Sequence, residues 1–306
     1  MPDITASMVK ELREKTGAGM MDCKKALIES GGDMNVSVDW LRKKGLAAAA
    51  KKAGRVAAEG LIAVAVDGKI GAVIELNAET DFVSRNEDFQ AMTAAIVGIA
   101  LREQGDRERI AAAAMGGKTV DEAVTELISR IGENMALRRT AALTVSDGVV
   151  TSYVHNKVAG NLGRIGVIVA LESTGDKSVL ADLGRQLAMH VAASRPQAVT
   201  IDSVDPVAVA RERDVLAEQA RASGRPKAVI DKMVEGRLRK FYEDTVLMEQ
   251  VFVIDGKTRI FDVLKQAAET AGAAVSVAGF VRFELGEGIE REESDFASEV
   301  AATAAG

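Results

Sequence analysis

After Gly60 the apolar residues of this 306-residue chain change their period, and that change constrains the fold more than any other feature. Upstream, apolar residues recur every three or four positions. From Leu61 they run continuously to Val66, stop at Asp67-Gly68, and resume from Ile70 to Leu76. Two short β-rich runs separated by Asp-Gly predict a hairpin, with a type I′ turn that places both central residues at positive φ. Residues 87–101 return to helical spacing, with Phe89, Met92, Ile96 and Ile99 on one stripe. The order recurs later. Ser146-Asp147-Gly148 precedes a strand-like run, residues 164–171 echo residues 69–76 at an offset of 95, and an alanine-rich helix over 180–193 follows. Two hairpin-plus-helix units predict a two-lobed α+β core.

Helical patterns flank this core. Ala6, Val9 and Leu12, then Cys23, Ala26 and Leu27, then Val36, Trp40 and Leu41 mark three short helices punctuated by glycines, the third closing near Gly45. They predict a helical bundle over 1–54, with 47–58 as a linker helix or connection to the core. Residues 205–222 and 226–241 predict an antiparallel helical hairpin, with Pro206 at a tolerated first helical position. Strand signals return over 251–254 and 275–285, and Phe296, Val300 and Ala304 mark a short C-terminal helix over 292–304. The expected division is a bundle (1–54), a core N-lobe (55–140), a core C-lobe in two parts (141–195 and 229–285), an arm (196–228) and a C-terminal module (286–306).

Composition narrows the chemistry. With 4% aromatic residues, the core must be built from alanine, valine and leucine. The longest uncharged stretches, 89–101 and 270–281, fall short of the roughly 18 apolar residues of a membrane helix, and the N-terminus lacks a secretory apolar run. A single cysteine, Cys23, fits a reducing compartment, so a cytoplasmic protein without membrane contact is expected. The formal net charge is −6, with +3 over residues 1–54 and an acidic remainder. That balance argues against direct nucleic-acid binding.

No metal-ligand spacing surrounds His155 or His190, so neither metal nor cofactor is expected. His190, inside an apolar helix, reads as a packing residue. His155 reads as exposed, either in contact with a partner or as an ordinary loop histidine. Gly116-Gly117-Lys118-Thr119 ends like a phosphate-binding loop but lacks the earlier glycine and the preceding strand. Thr119 with Glu122 reads instead as a capping box. Residues 79–83, Glu-Thr-Asp-Phe-Val, fall on the turn between strand and helix. Phe82 there either faces a partner or folds back on the core, and spacing leaves both readings open. Met20-Met21, on a loop after Gly19, either form a recognition patch or start a buried helix face.

Taken together, these segments resemble the bacterial elongation factor Ts family. The resemblance rests on ITASMVKELREKTGAGMMDCKKAL (4–27), AETDFVSRNEDF (78–89), RIGEN (130–134), RIGVIVAL (164–171), HVAAS (190–194), KMVEGR (232–237) and GFVRFELGEGIE (279–290), in the family's order. Residues 102–118 and 200–224 match least, and Ser84 departs where the family often has alanine.

The resemblance implies a ubiquitin-associated-like bundle and a non-enzymatic nucleotide-exchange factor that binds elongation factor Tu in its GDP-bound and nucleotide-free states. Thr80, Asp81, Phe82 and Val83 would disturb that partner's magnesium and phosphate site. Arg13, Met20, Met21 and Lys24 would form the N-terminal contact, and Ile131, Gly132, His155, Met233 and Val234 further contacts. The arm would serve as a coiled-coil or homodimer element. Two rival expectations are a nucleotide-hydrolysing enzyme using Gly116 to Thr119 and an adaptor for ubiquitin-type partners using the bundle.

Overall fold

The computed structural model describes residues 4–221 and 226–290. Three helices open the chain: α1 (Ala6–Thr16), α2 (Met20–Glu29) and α3 (Met34–Lys52). Thr5 caps α1 through Met8 N–H and Asp33 caps α3 through Val36 N–H, whereas α2 starts at Gly19 without a side-chain cap. Val9, Leu12, Cys23, Ala26 and Leu27 form their common core. The third helix does not close at Gly45. One glycine costs a helix only about 1 kcal/mol, and the packing of α3 on a core helix outweighs it.

That core contains β1 (Glu59–Asp67), β2 (Ile70–Ala78), α4 (Glu87–Arg102), α5 (Arg107–Ala112), the two-residue strands β3 (Ala114–Met115) and β4 (Lys118–Thr119), α6 (Val120–Ile131) and β5 (Met135–Thr144). A second group follows: β6 (Gly148–Ala159), β7 (Leu162–Glu172), α7 (Lys177–Ser194), α10 (Ile260–Ala271) and β8 (Ser276–Glu284). Between α7 and α10 the arm is inserted as α8 (Pro206–Arg221) and α9 (Lys227–Thr245). The α+β class expected from the sequence is the observed one. The helix expected over 292–304 lies outside the described residues.

Apart from the small β3–β4 hairpin, the strands form one antiparallel sheet in two halves. β5, β2 and β1 pair in that order, and β7 pairs with β6 on one side and β8 on the other. β1 joins β7 at only two positions, Ile62 with Gly163 and Ala63 with Leu162. The halves then turn to face each other. Ile62, Val64, Val73, Val150, Val154, Ile168 and Ala170 share the layer between them. Gly166 allows this close approach: a Cβ there would lie 2.5 Å from Ile62 Cγ2.

Alternate residues point outward to the helices. Leu61, Ala63, Ile74 and Leu76 pack with α4 and α6, and Val167, Val169 and Leu171 with α7 and α10. Strand residues alternate between faces, and here both faces are covered. The strands therefore read as continuous apolar runs instead of alternating ones.

Two local expectations need correction. Asp67 pairs with Ile70, so the hairpin turn is Gly68-Lys69, and of these two only Gly68 has positive φ, +55°. That is the glycine-first type II′ pattern, not type I′. Asp147-Gly148 leads into β6 as its spacing suggests, and the second hairpin turns at residues 160–161. Residues 251–254 are not a strand: Val251 makes one bridge to Arg259, and Phe252 is buried beside α7. The following turn is fixed by Asp255, whose carboxylate accepts the Thr258 hydroxyl and the N–H groups of Lys257 and Thr258. These bonds hold its pKa at about 2.

His190 is a packing residue, fully buried on α7. Val253 N–H donates to its Nδ1 at 3.3 Å, so the proton sits on Nε2, which donates to Gln250 Oε1 at 2.8 Å. Burial lowers its pKa, and the Gln250 bond opposes the shift only in part. A depressed folded-state pKa means that the unfolded chain binds the extra proton first. Its stabilising contribution is therefore complete above the unfolded value near 6.5 and declines as pH falls from there through the folded value. Thermal unfolding between pH 7.5 and about 5.5 should show a steeper loss of Tm in the wild type than in His190→Gln. Parallel slopes would refute this assignment.

Candidate functional site

The turn after β2 is tied down through its backbone while the side chains of Asp81 and Phe82 are exposed. Ser84 N–H and Oγ both donate to Asp81 O, Arg85 N–H donates to Phe82 O, and Gln90 Nε2 donates to Ser84 O. Val83, 3% exposed, is the residue that anchors the turn in the core beneath α4. Phe82 is 75% exposed. Of the two readings left open by the sequence, the structure excludes a Phe82 folded back on the core. The Asp81 carboxylate is exposed and accepts no hydrogen bond from the described residues.

Behind the turn, two carboxylates form a reciprocal clamp with the segment after α6. Thr80 N–H and Oγ1 donate to the two oxygens of Glu133 at 2.9 and 2.7 Å. Asn134 N–H donates to Glu79 Oε1 at 2.6 Å, and Asn134 Nδ2 donates to Arg55 O at 2.8 Å. Ile131, partly buried, ends α6, and Gly132 is its exposed left-handed cap, φ +91°.

The same end of α6 meets the N-terminal bundle. Arg130 ion-pairs with Asp88 at the start of α4 and lies against Gly17 in the α1–α2 loop, where a Cβ would meet Arg130 Nε at 2.9 Å. Further along, Arg42 of α3 pairs with Glu122, which the Thr119 cap bond and Arg42 hold below the usual carboxylate range. Thr119 and Glu122 form the expected capping box, and Gly116-Gly117 is the turn of the β3–β4 hairpin. Met20 and Met21 are the first residues of α2, not loop residues, and remain 60% and 74% exposed. Arg13 and Lys24 are exposed nearby on α1 and α2. The structure thus gathers residues 80–83, the α6 end and, through Gly17, the bundle around one helix terminus.

The other expected residues lie elsewhere. His155 is exposed on β6 with Nδ1 3.1 Å from the Tyr153 hydroxyl. The tip of that hairpin, 159–162, lines a groove with Glu87, Gln90 and Ala94 of α4, so it borders the helix that follows the Phe82 turn. Met233 and Val234 are half-buried on α9, with Val234 lining the cleft toward α8. Sequence reasoning missed Glu133 as the partner of Thr80, although both lie in segments singled out above. Their separation of 53 positions gives no local signal.

Among the described residues, no group of three metal-ligating side chains is brought together, and no helix is long and apolar enough to cross a membrane. Fold and surface define the class: an α+β protein with an appended three-helix module, a double-layered antiparallel core and an inserted helical-hairpin arm. A family model described as elongation factor Ts matches residues 79–287. The chain is 60% identical to elongation factor Ts of Rhodospirillum rubrum, over 99% of both chains, and 58% identical to that of Rhodospirillum centenum, over 99% of this chain and all of the other. Against elongation factor Ts of Parvibaculum lavamentivorans, identity is 57% over the whole of both. The chain belongs to the elongation factor Ts family.

Proposed function

We propose that this member of the family is a guanine-nucleotide exchange factor for elongation factor Tu, acting in the cytoplasm. It binds the GDP-bound partner and promotes GDP release so that GTP can enter. The observation that carries this reading is Phe82, a fully presented aromatic beside an uncommitted Asp81 carboxylate on a pinned turn. In this reading residues 1–54 dock through Arg13, Met20, Met21 and Lys24, and residues 80–83 disturb the magnesium and phosphate contacts of the partner. Ile131, Gly132, His155, Met233 and Val234 extend the contact.

Linkage supplies the mechanism. A factor that binds the nucleotide-free partner more tightly than the GDP-bound one must weaken GDP binding by the same factor. A thousandfold effect corresponds to about 4 kcal/mol of differential affinity. Disturbing a divalent cation can supply that, because the cation is the largest local charge at a phosphate site. No acid, base or cofactor of this chain takes part.

Stopped-flow release of a fluorescent GDP analogue from elongation factor Tu tests the proposal. The full chain should accelerate release, and its complex should tighten when nucleotide and magnesium are removed. Unchanged release would end this reading. Tight ATP or GTP binding by the chain alone would favour the nucleotide-hydrolysing alternative.

A further inference from the structure

We propose that Glu133 is a positioning residue: it fixes the Phe82 turn in register with the N-terminal bundle before any partner arrives. The inference rests on the exchange-factor reading above and adds to it a residue that touches no partner itself.

Two recognition elements far apart in sequence converge on one short segment. Within residues 130–134, Arg130 contacts Gly17 and Asp88, Glu133 takes both donors of Thr80, and Asn134 is held by Glu79 and in turn holds Arg55. The left-handed cap at Gly132 reverses the chain and brings Glu133 back toward the turn. Val83 already anchors the turn in the core, so burial does not require the clamp. The clamp acts on the backbone at Thr80, two residues before Phe82, where the chain leaves the sheet. Ordering a loop residue carries an entropic cost, and an exposed aromatic on an unrestrained loop would incur that cost on binding. A pre-ordered turn avoids it, which raises affinity without adding a contact. The α6 end, shared with the bundle, also sets the spacing between Phe82 and the methionines of α2.

The test is a double-mutant cycle on the full chain, reading GDP release from elongation factor Tu against factor concentration. Glu133→Ala should raise the half-saturating concentration about tenfold, the loss expected when about one loop residue must be ordered on binding. In a Phe82→Ala background the same change should have less than about a twofold effect, because the clamp acts through Phe82. Glu133→Gln, which keeps one carbonyl for the Thr80 N–H, should recover most of the loss. Equal tenfold effects in both backgrounds would overturn the positioning role and leave the exchange reading intact. A Phe82→Ala variant as active as wild type would instead sink the exchange mechanism, and the role of Glu133 with it. Amide exchange on the free chain gives a readout independent of the partner: residues 80–85 should exchange faster in Glu133→Ala with the strands unchanged. Unaltered exchange there would refute the ordering.

Discussion

Phe82→Ala is expected to reduce GDP release from elongation factor Tu at subsaturating factor by about hundredfold while leaving the fold unchanged. The magnitude follows from the residue's setting. A buried interfacial aromatic anchor contributes about 2 to 4 kcal/mol by truncation, and about 2.7 kcal/mol is a factor of one hundred. The stability cost should stay within about 0.5 kcal/mol, because the ring is 75% exposed and its neighbour Val83 carries the packing. Val83→Ala provides the contrast: it should lower the unfolding temperature as well, because it leaves a cavity beneath α4. A Phe82→Ala variant that retains full acceleration would remove the central residue of the proposed mechanism.

The largest stability effect is expected at Glu75. Its side chain is fully buried in β2, facing the layer between the two half-sheets, and it collects donors from three directions. Arg138 Nη1 reaches both oxygens at 3.0 and 3.2 Å, and Arg139 Nε, Asn77 Nδ2 and Gly286 N–H complete the set. Consecutive strand residues normally point to opposite faces. Here the register shift between Glu75 and Leu76 places one extra residue in β5, so that Arg138 and Arg139 both reach one carboxylate.

The two arginines then grip the end of β8. Arg139 Nη2 donates to Glu284 O and Arg138 Nη2 to Glu287 O, both at 2.7 Å, and Arg139 lies 4.4 Å from the centre of the Phe283 ring. Glu75 thus ties the first half-sheet to the last strand of the second. Removing one partner of a buried ion cluster leaves charges and a backbone N–H unanswered, at a cost of about 3 to 5 kcal/mol. Glu75→Ala should therefore show that loss in denaturant unfolding. Glu75→Gln should lose nearly as much, because its amide would face donors with a donor. A loss under about 1 kcal/mol would show that the cluster relaxes into water and does not hold the halves together.

How much of this was legible in the sequence depended on range. The hairpin β1–β2 was visible because its turn and both strands are adjacent, although the type of turn was not. The echo of residues 69–76 at 164–171 marked β2 and β7 correctly as second strands of two hairpins. The sequence carries no clear signal for α10, and 251–254 resembles a strand, because a short apolar run has the same local appearance in a strand and in an anchored loop. Gly45 resembles a stop because a glycine's cost is local, whereas the packing of α3 on α6 that overrides it is tertiary.

For the candidate site, the segments were legible and their assembly was not. Sequence alone determined the α+β class, the exposed setting of a strand-to-helix turn at 80–83, the capping box at Thr119 and the family. These are properties of local spacing or of matched motifs. Tertiary structure decided that Phe82 points outward and Val83 inward, that Glu133 clamps Thr80 across 53 positions, and that Glu75 draws in two consecutive arginines. The reason is physical: burial and ion pairing depend on which surfaces meet, and that is fixed only when the two half-sheets and α6 have closed on one another.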